Sequence, residues 1–94
     1  MKKKNSALIA QKLEELKAYE KAVNDYNEKY LEIVKQLNES RDELNLYEPG
    51  TDLWGAVLKK VQSYEAKAAN YQELRNEQHD NCERIRRELS NLSK

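Results

Sequence analysis

The chain has 94 residues, 36% of them charged and 38% apolar, with no Phe. That length holds one small domain. Its 17 Lys and Arg balance 17 Asp and Glu, so it lacks the basic excess that nucleic acid or an anionic membrane surface would need.

The chain begins with Met-Lys-Lys-Lys. This resembles the charged start of a signal peptide, but no apolar core follows, so no cleaved signal is read. The longest apolar run is Ala7 to Ala10, far short of a membrane span. A single cysteine, Cys82, excludes an internal disulfide framework and suits a reducing compartment. Cytoplasm is the expected location.

A first helix is expected over residues 6–47. With Ile9 at heptad position a, the a series runs Ile9, Leu16, Val23, Tyr30, Leu37, Leu44, and the d series Lys12, Tyr19, Tyr26, Ile33, Ser40, Tyr47. The strong backbone breakers then come together. Pro49 excludes Glu48 from the helical region, and Gly50 supplies a left-handed helix end. Thr51 is an N-cap and Asp52 complements the positive end of a new helix. The turn therefore covers 48–51.

A second helix is expected over residues 52–92. Its a series is Trp54, Val61, Ala68, Arg75, Cys82, Leu89, and its d series Val57, Tyr64, Tyr71, Gln78, Ile85, Leu92. Apart from Lys12, Ser40, Arg75 and Gln78, every a and d residue is apolar or Tyr, and all 6 tyrosines fall among them. A 3.5-residue period of this kind specifies a left-handed coiled coil.

The chain folds back so that facing residue numbers total 101, which sets every a residue against a d residue, as an antiparallel pair requires. Leu44 then faces Val57, Leu37 faces Tyr64, Tyr30 faces Tyr71, Leu16 faces Ile85 and Ile9 faces Leu92. The fold class is all-α: a two-helix antiparallel coiled-coil hairpin that completes a helical bundle with a partner. Arg75 can stack on Tyr26, Gln78 faces Val23, and Lys12 can reach water past Leu89. Such polar seam residues fix register at a cost in stability.

A lone hairpin buries one seam and is thin for its size. In an antiparallel pair the b and e positions of both helices share one side, here Leu13, Leu31, Val34, Gly55, Leu58 and Ala69. The g and c positions share the other, here Leu8, Ala18, Ala22, Leu46, Leu53, Ala56 and Leu74. The larger apolar residues gather near the turn. Leu31, Val34, Leu53, Trp54, Gly55, Leu58, Ala69 and Leu74 are the candidate protein-binding residues. Their partner is another helical protein or a second copy of the chain, docked on the turn-proximal half. Trp54 has two readings: it closes the seam opposite Tyr47, or it is an interface anchor, a role in which Trp is enriched.

Chemistry has little support. His79 and Cys82 lie one helical turn apart, but zinc needs four ligands and no second pair exists. Cys82 reads as a small seam residue and His79 as an exposed flank. The carboxylates alternate with Lys and Arg as helix-face partners. No phosphate loop and no nucleophile with a base is present. The chain is therefore not expected to be an enzyme, to hold a cofactor or metal, or to take a small-molecule substrate, nucleic acid or membrane. The local basic run Glu83 to Glu88, with Lys2 to Lys4 beside it, reads as helix-end complementarity rather than an anion site.

A helical hairpin of this length with Leu53-Trp54-Gly55 at its bend resembles the WXG-type small proteins of type VII secretion. It resembles still more the short helical accessory partners that bind the helical N-terminal domain of LXG-type toxins. The family spaces Trp and Gly by one residue, whereas Trp54 and Gly55 adjoin. The family's Tyr-x-x-x-Asp/Glu export signal has no match, since Tyr71 is followed by Arg75 and Tyr64 by Ala68. The resemblance implies a targeting partner that rides with or escorts a larger cargo, co-exported with it rather than exported alone. Two functional classes follow: an adaptor or chaperone-like partner in a heteromeric helical bundle, or a self-assembling structural coiled coil such as a homodimeric four-helix bundle.

Overall fold

The computed structural model describes residues 2–93, with side chains from residue 5 onward. Two helices account for nearly all of it: α1, Lys2–Leu44, and α2, Asp52–Leu92. The fold class is all-α, an antiparallel helical hairpin, and no strand occurs among the described residues. No helix among them is long and apolar enough to cross a membrane.

The second helix spans the expected residues. The first begins earlier than residue 6 and stops at Leu44 instead of Tyr47. Its last turn tightens: the Leu46 and Tyr47 amides reach back three residues, to the Glu43 and Leu44 carbonyls at 3.0 and 3.3 Å. Such i-to-i−3 closure is a common way for a helix to satisfy its last carbonyls. Gly50 has φ 88°, the left-handed region that glycine enters without a Cβ penalty. Thr51 joins both sides of the break. Its hydroxyl donates to the Glu48 carbonyl at 2.8 Å and accepts from the Trp54 amide at 3.2 Å, satisfying an otherwise unpaired donor at the start of α2.

The chain divides into two compact units, Asn27–Glu73 and Met1–Tyr26 with Leu74–Lys94. The turn unit is built on Leu37, Val57 and Val61, with Leu44, Tyr47 and Tyr64 packed against them. These include the facing pairs Leu44–Val57 and Leu37–Tyr64 of the heptad register. Ser40 and Ala68 are buried in the same unit, small residues that leave room for the larger ones opposite. Two lysines lie on seam tyrosines: the Lys29 ammonium is 5.9 Å from the Tyr71 ring centre and that of Lys67 is 5.7 Å from Tyr64. Each ring thus presents its face to a cation.

The second unit centres on Ile85, fully buried, and Cys82, 2% exposed. Lys12 does not simply reach water. Its ammonium meets the Glu88 carboxylate at 2.7 Å and Glu15 at 3.7 Å. Within each unit, every residue assigned to the seam is buried or half-buried, and every fully buried residue belongs to the seam.

Replacing Thr51 with Ala should destabilise the chain by about 1 kcal/mol through loss of the cap. Gly50→Ala should cost about 1–2 kcal/mol, because a Cβ is strained at positive φ. Ile85→Ala removes the one fully buried large side chain among the described residues and should cost about 2–5 kcal/mol. Urea denaturation followed by circular dichroism measures all three, and a Gly50→Ala chain as stable as the parent would contradict the role given to the turn.

Candidate interaction surface

Two ion pairs mark the two long sides of the turn unit. Arg41 and Glu65, both e positions, meet at 3.9 Å. Glu43 and Lys60, both g positions, meet at 3.4 Å. Pairing e with e and g with g is what antiparallel helices produce, so each side carries residues from both helices.

On the e/b side, Leu31 is 57% exposed. Val34, Gly55 and Leu58 are half-buried there, and Ala69 is exposed. Asn27, Asn38, Gln62 and Gln72 complete this side with neutral amides, and the Arg41–Glu65 pair offsets the charge between them. A side of this composition loses little on dehydration, because few charges must give up water. Gly55 is helical, and beyond its chain neighbours and the adjacent backbone of its own helix nothing comes within 4 Å of the place a Cβ would occupy. The fold itself does not require glycine there.

The remaining candidates sit elsewhere. Leu53, 62% exposed, belongs to the g/c side. Leu74 is also a g residue, half-buried, in the other unit. Trp54 is on the seam, half-buried at its turn-proximal end. The eight candidates therefore do not form one surface: Leu31, Val34, Gly55, Leu58 and Ala69 share a side, and three do not. Leu46 lies outside that candidate set, yet at 78% exposed it is the barest large apolar residue among those described. The signal for it is its place after the last helical residue, in the tightened turn, where neither helix covers it.

In the other unit, Glu20, Val23, Asn24, His79, Cys82 and Arg86 line an open cleft of about 200 Å³. His79 is exposed, while Cys82 is buried and burial pushes its thiol pKa up. A protonated, covered thiol is a poor nucleophile and a poor metal ligand. Among the described residues no group of three or more His, Cys, Asp and Glu could share an ion. The basic run is answered by its own carboxylates, Arg86 with Glu83 at 3.0 Å and Arg84 with Glu88 at 3.4 Å. The expectation that Lys2 to Lys4 stand beside it concerns side chains outside those described.

Comparison with protein-family models, with curated proteins and with solved structures finds no match to this chain.

The hydrogen bond between Lys12 and Glu88 is the main cause of both their shifts, lowering the Glu88 pKa and raising that of Lys12. The pair's contribution is complete above the ordinary Glu value of 4.5 and is lost as pH falls through the lowered Glu88 value. At the other end it is lost only as pH climbs past the raised Lys12 value, above 10.5. The gap in melting temperature between the parent and Glu88→Gln should thus be widest near neutral pH and close in acid below 4.5. A gap that persists unchanged well into acid would show that the ion pair is not its source.

Proposed function

We propose that this chain is a non-enzymatic helical adaptor that docks the e/b side of its turn unit on the helical domain of a larger protein. The observation that carries this reading is the composition of that side: exposed Leu31, half-buried Val34 and Leu58, neutral amides, an internally matched ion pair, and a glycine its own fold does not need. Gly55 and Ala69 permit close approach of a partner helix. The thin core supports the same conclusion, since a binding partner adds stability by mass action. The likeness of Leu53-Trp54-Gly55 at a helical bend to the accessory partners of LXG-type toxins suggests the class of partner, the helical domain of a type VII cargo. On that reading the chain meets its cargo in the cytoplasm and accompanies it to or through export.

Affinity purification of the tagged chain from its host, with mass spectrometry, tests the proposal. A larger helical protein should copurify in stoichiometric amount and raise the melting temperature of the chain when added back. Leu31→Ser combined with Leu58→Ser should abolish that recovery while leaving the helical circular dichroism intact. Gly55→Ala should separate folding from function. It should stabilise the free chain by about 0.5–1 kcal/mol and weaken partner binding. Recovery of the chain only with copies of itself would favour the self-assembling coiled coil instead.

A further inference from the structure

The g/c side of the turn unit is patterned differently. On α1, the c positions Glu32, Glu39 and Leu46 follow one another at heptad spacing. On α2, the g positions Leu53, Lys60 and Lys67 do the same. Read outward from the turn, the first stripe is Leu, Glu, Glu and the second is Leu, Lys, Lys. Each α1 residue lies as far from the turn as its α2 counterpart, to within two residues, and the three pairs of numbers all total 99. Glu32, Glu39 and Lys67 are exposed, as are Leu46 and Leu53 at 78% and 62%, and the Lys60 side chain at 51%.

We propose that this side binds a second copy of the same chain, the two turn units related by a two-fold axis parallel to the helices with both turns at the same end. Positions g and c alternate by three and four residues, so they make a second seam of the coiled-coil type beside the a/d seam. The two-fold sets α1 of one copy antiparallel to α2 of the other. In an antiparallel seam the two kinds of position face each other, as a faces d within the hairpin. Glu32 then meets Lys67 of the other copy, Glu39 meets Lys60, and Leu46 meets Leu53, each contact occurring twice. The g residues of α1 fall opposite small or neutral c residues of α2: Glu43 opposite Ala56, Gln36 opposite Ser63, Lys29 opposite Asn70. No like charges meet. Turning one copy end for end would instead bring α1 onto α1 and α2 onto α2. The same rule then leaves Lys60 and Lys67 opposite the neutral Ala56, Ser63 and Asn70 and offers Glu32 and Glu39 no lysine but Lys29. Charge pattern selects the first arrangement over the second.

The stripe is charged along most of its length, with its large apolar residues only at the turn. Exposed ion pairs are individually weak and screened by salt, so the dimer should be modest in affinity and strongest at low ionic strength. It leaves the e/b side of both copies outward, so it does not depend on the adaptor reading.

Sedimentation velocity of the full chain over a concentration series, at about 20 mM and 500 mM salt, tests it. The expected result is a monomer–dimer equilibrium at low salt that shifts to monomer at high salt. Lys60→Glu with Lys67→Glu, and separately Glu32→Lys with Glu39→Lys, should each weaken dimerisation about tenfold or more. An equimolar mixture of the two variants should restore it, which a merely misfolded variant could not do. Chains carrying Leu46→Cys should crosslink to chains carrying Leu53→Cys in preference to each other, as peptide mapping would show. Leu31→Ser with Leu58→Ser should leave the dimer intact. A monomer at every concentration in low salt, a dimer indifferent to salt and charge reversal, or charge-reversed chains that fail to recombine would each overturn the proposal.

Discussion

The number of residues spent on reversing the chain decides which side chains can meet. Thr51 ties the Glu48 carbonyl to the Trp54 amide through one hydroxyl, and Gly50 takes the left-handed conformation between them. A loop one residue longer or shorter would shift α2 along α1. Because a and d positions alternate by three and four residues, such a slip would bring flank positions onto the seam. The contacts in the turn unit, Leu37 and Leu44 with Val57 and Tyr64, exist because the loop does not permit that slip.

A core of this kind is one side chain deep. It hides Leu37, Val57 and Val61 in one unit and Cys82 and Ile85 in the other, while Leu31, Leu46 and Leu53 stay largely in water. The hairpin geometry also makes its two long sides chemically independent, because each helix contributes a different set of positions to each. One side is neutral and partly apolar with its facing charges matched internally. The other bears an acidic stripe on α1 and a basic stripe on α2. A dehydrated contact suits the first, and a salt-sensitive contact suits the second. The two proposed contacts therefore use separate surfaces, and neither would cover the other.

Much of the architecture was legible in the residues. Heptad spacing located the seam, since burial follows the 3.5-residue period whenever two helices share a core, and the breakers at Pro49 and Gly50 located the reversal. The end of α1 was less legible. Periodicity runs on to Tyr47, but hydrogen bonding closes the helix at Leu44 because its last carbonyls take the nearest available donors. The candidate surface was legible only in part. A list of flanking apolar residues does not say which of them share a side: Leu53 and Leu31 look alike in composition and stand on opposite sides of the seam.

Side-chain reach accounts for most of what the sequence left open. A lysine at a seam position can extend to water or fold onto a carboxylate, and nothing in the heptad pattern chooses. In the folded chain Lys12 lies 2.7 Å from Glu88, and Lys29 and Lys67 settle over tyrosine rings. The sequence by itself determined the helices, their reversal near residue 50 and the antiparallel register, because these depend on backbone conformation and on spacing along one dimension. The tertiary structure alone decided which charges neutralise each other, how far each flanking leucine stays exposed, and that Gly55 has open space around it, because those depend on distances between residues far apart in the chain.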